Sequence, residues 1–94
     1  MIVREKAPRH IAYTWQEFIH NVSCGGFYPR VATFMGLRCE LNSTRTGYFV
    51  YDKHGNTHIM NEDSVMMFYN YDYDKIVIFN AESFWNTYEQ VIFK

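Results

Sequence analysis

The stretch GYFVYDKHGNTHIM, residues 47–60, predicts a β-hairpin. Its first strand, Tyr48–Tyr51, is aromatic and β-branched, as strands commonly are. A polar turn that contains a glycine follows at Asp52–Asn56, and Thr57–Met60 returns as the second strand. Two paired strands provide a sheet on which the flanking segments can pack, so this hairpin is expected to organise the fold.

The composition predicts one packed domain over residues 1–94. The chain is 48% hydrophobic and 19% aromatic, whereas disordered chains are poor in aromatic residues and highly charged. Residues 1–12 begin with a short apolar run and then alternate charged residues around Pro8, which favours an extended N-terminal arm or an edge strand.

The best-supported helix begins at Thr14, where Thr14 and Glu17 form a capping-box pattern. The helix is expected to end before the glycine pair Gly25–Gly26. Its apolar stripe recurs at helical spacing and consists of Trp15, Phe18, Ile19 and Val22.

The next segment predicts a short helix followed by a strand. Proline at the first helical position is favourable, so a second helix is expected from Tyr28–Pro29 to Gly36, with Val31, Phe34 and Met35 facing inward. Leu37–Leu41 then alternates apolar and charged residues, which is typical of a half-buried strand.

The C-terminal third predicts two strands and a helix. Ser64–Tyr69 fits a strand, although its period also fits a short helix capped by Asn61. The run Lys75–Phe79 is apolar and short, as a central buried strand would be. Asn80 then caps a last helix whose predicted apolar face consists of Phe84, Trp85, Tyr88, Val91 and Ile92. The expected fold is α+β: a small antiparallel sheet of about four strands, with one or two N-terminal helices and a C-terminal helix packed on it.

No metal or cofactor is expected. Cys24, Cys39, His54 and His58 are zinc-ligand types, but the cysteines are too far apart for the close pairs of a structural zinc site. A bridge between the two cysteines stays open. Cys24 is the one candidate nucleophile, and its place after a helix C-terminus does not favour the thiolate. The acidic pairs Glu62–Asp63 and Asp72/Asp74 fit solvated turns better than a glycosidase cleft, so we expect a protein that is not an enzyme.

Charge and hydropathy favour an intracellular protein with no membrane partner. The net charge is −1, with +3 in residues 1–45 and −4 in residues 46–94. No apolar run approaches the roughly 18–20 residues of a membrane span, and the first ten residues lack the apolar core of a signal peptide. A cytoplasmic location is therefore expected.

Nucleic-acid binding is the alternative function. The segment Arg45–Tyr51 loosely follows the RNA-binding pattern that places aromatic residues on a sheet to stack bases, but its spacing is one residue short. The candidate contacts are Arg38, Arg45, Tyr48 and Tyr51. The slight net negative charge disfavours this function, because phosphate contacts dominate affinity for nucleic acid.

The favoured function is binding to another protein. Tyrosine is enriched at interfaces because it combines large contact area with a hydroxyl group. The candidate contact strip consists of Tyr69, Tyr71, Asp72, Tyr73 and Asp74. A homodimer is a second arrangement, in which Leu37–Leu41 would pair as an exposed edge strand. In general character the chain resembles the small accessory proteins with which tailed phages bind host machinery, and that resemblance implies an inhibitor or adaptor in the host cytoplasm.

Overall fold

The computed structural model describes residues 1–4, 9–23 and 25–90. These residues form nine strands, two α-helices and one 3₁₀ turn. In chain order they are β1 (Ile2–Arg4), β2 (Arg9–Thr14), α1 (Trp15–Val22), β3 (Val31–Phe34), β4 (Leu37–Leu41), β5 (Gly47–Tyr51), β6 (Thr57–Asn61), β7 (Ser64–Phe68), the 3₁₀ turn (Tyr69–Tyr71), β8 (Ile76–Asn80), α2 (Ala81–Thr87) and β9 (Glu89–Gln90). The predicted α+β class is confirmed, but the predicted single sheet of about four strands is wrong.

The strands form two antiparallel sheets that pack in layers. One sheet has the order β8-β7-β2-β1-β9, and the other has the order β3-β4-β5-β6. The first core lies between one face of the five-stranded sheet, the inner face of the four-stranded sheet and α1. The second core lies between the other face of the five-stranded sheet and α2. The five-stranded sheet is therefore the middle layer.

Strand β7 is buried along its whole length. Met66 and Phe68 belong to the core that contains α1, whereas Val65 and Met67 belong to the core that contains α2. A strand covered on both faces has a continuous apolar run instead of an alternating one, which explains why the period of this segment is ambiguous. The strand assignment for Ser64–Tyr69 is confirmed up to Phe68.

The hairpin of residues 47–60 is confirmed as β5 and β6. Tyr48 pairs with Met60 and Tyr51 pairs with Thr57. Gly55 lies in the turn with φ +82°, a left-handed conformation that glycine adopts without steric cost. Because successive side chains alternate across a strand, Tyr48 points to the core together with Met60, and Tyr51 lies on the opposite face.

The first helix is confirmed with its cap. The Thr14 hydroxyl accepts from the backbone N–H of Glu17, and the Glu17 carboxylate accepts from the backbone N–H of Thr14. Phe18 and Val22 are buried, and Trp15 packs at the edge of the same core.

The helix predicted between Tyr28 and Gly36 is wrong. Val31–Phe34 is a strand that pairs with β4 through the two-residue turn Met35–Gly36. Both turn residues have positive φ, 51° and 78°, which is the conformation of a type I′ hairpin turn. The apolar spacing of Val31, Phe34 and Met35 fits a helix by chance, because Met35 lies in the turn.

Within the predicted N-terminal arm, residues 2–4 and 9–12 belong to strands β1 and β2, and residues 5–8 lie outside the described residues. Strand β2 lies between β1 and β7 in the middle of the five-stranded sheet. Val3 and Ala12 are completely buried, because α2 covers this face of the sheet. Pairing with strands distant in the sequence brings these residues inside.

Two predicted strand positions in the sheets are wrong. The strand Ile76–Asn80 is at the edge of its sheet and is mostly half-buried, not central. Leu37–Leu41 is confirmed as a strand, but it lies between β3 and β5. Since both of its edges already have partners, it is not the exposed edge that the homodimer model requires.

The last helix begins as predicted and ends early. The Asn80 side chain accepts from the backbone N–H groups of Glu82 and Ser83. Tyr88 is already extended, because Glu89–Gln90 pairs with β1. Phe84 and Tyr88 are buried, but Trp85 of the predicted apolar face is 42% exposed. The other two members of that face, Val91 and Ile92, lie outside the described residues.

Candidate partner-binding surface

The predicted tyrosine–aspartate strip is divided between core and surface. Tyr69 packs edge-on against His10, with ring centroids 5.0 Å apart, and Tyr73 packs against Phe68 at 4.8 Å. Tyr73 also forms a side-chain hydrogen bond with Tyr13. Burial, followed by this hydrogen bond, raises the pKa of Tyr13 to about 12. Two of the three tyrosines of the strip are therefore held against the core.

The two aspartates of the strip have partners within the protein. Oδ1 of Asp72 accepts from the backbone N–H of Asp74 at 2.9 Å, and its Oδ2 lies 3.9 Å from Nζ of Lys75. Oδ1 of Asp74 lies 3.0 Å from Nζ of Lys53 in the β5–β6 turn. The strip is thus joined to the tip of the hairpin.

Tyr71 is the strip tyrosine that faces solvent, with 45% of its surface exposed. It follows Asn70 in a turn where both residues have positive φ, 51° for Asn70 and 61° for Tyr71. The backbone N–H of Asn70 donates to Nδ1 of the buried His10 at 3.0 Å. A contact with a distant strand therefore stabilises the conformation that presents Tyr71.

The residues predicted to contact nucleic acid lie in three different places. Tyr48 is in the core, and its hydroxyl donates to the carbonyl of Pro29 at 2.7 Å. The guanidinium of Arg45 lies 5.7 Å from the ring centroid of Phe27. Only Arg38 and Tyr51 are neighbours, as directly opposite residues of β4 and β5.

Glu40 joins these two neighbours. Its carboxylate pairs with Arg38 and accepts from the Tyr51 hydroxyl at 3.2 Å. Burial and this hydrogen bond raise the pKa of Tyr51. The local charges of Arg38 and Glu40 therefore balance each other.

The outer face of the four-stranded sheet carries a row of three apolar residues, Val31, Phe49 and Ile59, with Glu40 between the first two; the sequence analysis missed this apolar row. The register of the strands aligns Val31 with Glu40, Glu40 with Phe49, and Phe49 with Ile59. Val31 is 57% exposed and Ile59 is 58% exposed. The alternation within residues 47–60 already places Phe49 and Tyr51 on the face opposite the core residues. The sequence therefore indicated that Phe49, one member of the row, lies on the outer face.

The cysteine and histidine candidates do not form a metal site among the described residues. Cys39 is a free thiol in the core, and burial raises its pKa to about 11. His58 contacts Asp52, and His54 is exposed at the hairpin tip. Cys24 lies outside the described residues.

A cleft of about 510 Å³ lies where the beginnings of the two helices meet the β6–β7 turn. Its walls include both tryptophans, Trp15 and Trp85, together with Tyr28. Glu62 and Asp63 lie at the same cleft. It is thus an aromatic and acidic concavity.

Neither helix of the described residues has the length and apolar character needed to cross a lipid bilayer. In comparisons with known proteins, no family model, curated protein or solved structure matches the chain.

Proposed function

We propose that the protein is a non-enzymatic binding protein that docks on another protein through the outer face of its four-stranded sheet. The observation that carries the proposal is the row of Val31, Phe49 and Ile59 around Glu40, whose two end residues are more than half exposed. Phe49 and Ile59 are direct neighbours and Glu40 lies between Phe49 and Val31, and exposed apolar side chains grouped on one face mark interaction sites. An inhibitor or adaptor acts in this way, by occupying a surface of its partner.

The outer sheet face is smaller than a standard protein–protein interface, so surrounding surface must also contact the partner. Four strands about 4.8 Å apart, with five residues rising about 3.3 Å each, cover roughly 300 Å². A standard interface buries about 800 Å² on each partner. The Lys53–Asp74 contact connects the hairpin tip to the tyrosine–aspartate strip, so the exposed Tyr71 is proposed to extend the same surface.

The charge pattern of the face supports a partner with an apolar centre and a mixed polar rim. Arg38 and Glu40 already pair with each other, so the partner has no buried charge to neutralise there. Fully burying one large apolar side chain contributes about 1.5–3 kcal/mol. The apolar row is therefore expected to supply most of the affinity.

The test is capture from the source organism with matched variants. Phe49→Thr/Ile59→Thr removes two of the three apolar residues of the row and places a β-branched residue, which favours strands, at both positions. Phe27→Thr is the control, because Phe27 is 60% exposed and lies outside the row. We expect the wild type and the control to retain a partner protein and the double variant to lose it. An identical partner set for all three proteins would overturn the proposal.

Self-association is examined with the same proteins by sedimentation. The wild type is expected to be monomeric when the partner is absent. A dimer that the double variant dissociates would show that a second copy of this chain occupies the face, and would overturn the proposal of a different protein partner.

Nucleic-acid binding is the second candidate, and one observation favours it. Arg38 lies opposite Tyr51 on an open sheet face, and Phe49 on the same face lies opposite Glu40. Aromatic side chains on such faces stack bases. Glu40 lies among them and repels phosphate. Titration with single- and double-stranded oligonucleotides at low and moderate salt tests this candidate. Salt-sensitive binding that Arg38→Ala weakens would support it, and no binding at low salt would eliminate it.

A further inference from the structure

We propose that the cleft between the two helices binds an arginine side chain presented by a basic peptide segment. The cleft is separate from the outer sheet face, since no residue of the apolar row lines it. The proposal therefore concerns a second binding site and does not depend on the first.

The aromatic walls are held in place by the core. The indole of Trp15 stacks on Phe18, with ring centroids 5.8 Å apart and planes at 26°. Tyr28 contacts Trp15 edge-on at 6.4 Å. The indole of Trp85 meets Phe84 edge-on at 4.9 Å. Because these rings are ordered before a ligand arrives, binding loses little side-chain entropy.

The exposed tryptophan at the cleft favours a ligand that has a group able to stack on an aromatic ring. Trp85 remains 42% exposed although it adjoins the buried Phe84. An indole ring that is rigid and open to solvent offers a face for stacking or for a cation. Both tryptophans of the chain line this one cleft, so the aromatic surface is concentrated there.

The negative charge of the cleft favours a positively charged ligand. Glu62 and Asp63 are exposed, and neither forms an ion pair with any residue that the structure describes. Among the side chains that the structure describes, no lysine, arginine or histidine lines the cleft. The backbone of Asp63 is tied to α2, since its carbonyl accepts from the N–H of Ala81 at 2.7 Å. A turn tied to α2 therefore holds both acidic residues at the cleft.

Arginine fits this combination better than the other cationic side chains. Its planar guanidinium stacks on aromatic faces and donates several hydrogen bonds to carboxylates in one plane. A volume of about 510 Å³ is within the range of ligand pockets, roughly 300–1,000 Å³. It exceeds the volume of one guanidinium group, so the flanking peptide also has room.

Intrinsic fluorescence tests the proposal without a label, because both tryptophans line the cleft. We expect a saturable change in emission on titration with a tetra-arginine peptide at moderate salt and no change with a tetra-glutamate peptide. Tetra-lysine is expected to bind roughly tenfold more weakly, since an ammonium group stacks less well on an indole. Equal binding of the arginine and lysine peptides would overturn the proposal.

Two double variants with the same change in net charge test whether binding depends on the acidic residues of the cleft or on negative charge anywhere on the surface. Glu62→Gln/Asp63→Asn keeps the shape of both side chains and is expected to weaken tetra-arginine binding roughly tenfold or more. Glu82→Gln/Glu89→Gln removes the same charge from residues that do not line the cleft, and binding is expected to change less than twofold. Equal losses in the two double variants would overturn the proposal.

The aromatic contribution needs its own variant. Trp85→Leu leaves the charge unchanged and is expected to weaken tetra-arginine binding roughly tenfold, with the emission of Trp15 as the readout. Circular dichroism checks that each variant is folded. Unaltered affinity in a folded Trp85→Leu protein would overturn the role of the aromatic wall.

Discussion

Nε2 of His58 lies 3.0 Å from Oδ2 of Asp52, across the hairpin that organises the four-stranded sheet. The other carboxylate oxygen of Asp52 accepts from the backbone N–H groups of His54 and Asn56 at 2.8 and 2.9 Å. One carboxylate therefore joins the turn to the returning strand. The hydrogen bond from His58, followed by those from the turn, holds the pKa of Asp52 well below its ordinary value of 3.8.

We predict that Asp52→Asn destabilises the protein in a pH-dependent way. Because the pKa of Asp52 is lowered in the folded state, its stabilisation is present above about pH 5 and is lost as the pH falls. The difference in unfolding free energy between wild type and variant is expected to be largest near pH 6 and to shrink towards pH 2. Urea unfolding across this range measures it. Glu62→Gln is the control, and a difference that stays constant with pH would contradict the prediction.

We predict that Gly47→Ala weakens the pairing of β5 with β6. A Cβ atom at Gly47 would lie 2.8 Å from the carbonyl oxygen of Met60, a backbone atom that cannot move freely. Overpacking of this kind costs about 1–3 kcal/mol. Thermal and urea unfolding measure the loss. Gly55→Asn is the control, because space is open there and asparagine tolerates positive φ. Equal free energies of unfolding for Gly47→Ala and wild type would contradict the prediction, because the two strands could then move apart without loss of stability.

We predict that Cys39 reacts with a thiol reagent only when the protein opens. Its side chain is completely buried, and burial raises its pKa to about 11. At pH 8, well below this pKa, little of the thiol is ionised, and the thiolate is the reactive form. In a Cys24→Ser background, labelling by a disulfide reagent is expected to follow the unfolding equilibrium as urea is added. Fast labelling of the native protein would contradict the burial of this residue.

We predict that Tyr48→Phe destabilises the fold by about 1 kcal/mol, because the carbonyl of Pro29 loses its hydrogen-bond donor. Urea unfolding measures this loss. The same variant is expected to leave any oligonucleotide binding unchanged, since Tyr48 is only 1% exposed. Weaker binding to oligonucleotides by a stably folded Tyr48→Phe protein would contradict its assignment to the core.

Local signals in the sequence were reliable wherever neighbouring residues determine the structure. The capping box of Thr14 and Glu17, the cap at Asn80 and the hairpin of residues 47–60 all appear in the structure. In each of them the interacting groups are within a few residues of one another, or alternate regularly along a strand. The helix predicted for residues 28–36 failed because helical and strand spacing coincide in a short segment, and the turn at Met35–Gly36 decided the outcome.

The candidate sites were harder to predict from the sequence than the secondary structure was. Tyr69 and Tyr73 are in the strip by position, but they pack against His10 and Phe68. Val31 and Ile59 belong to one surface only because β3 and β6 lie on opposite edges of the same sheet. Trp15 and Trp85 are 70 positions apart in the chain and line the same cleft.

By itself, the sequence determined an aromatic-rich α+β protein with a central hairpin, two capped helices and strands over residues 37–41 and 64–68. These features depend on capping, alternation and turn chemistry, which act over a few residues. Only the tertiary structure decided that the strands form two sheets and that β7 is buried on both faces. It also decided that Val31, Phe49 and Ile59 lie in one row around Glu40. Those outcomes depend on pairing and packing between distant segments, and short-range patterns do not specify which segments meet.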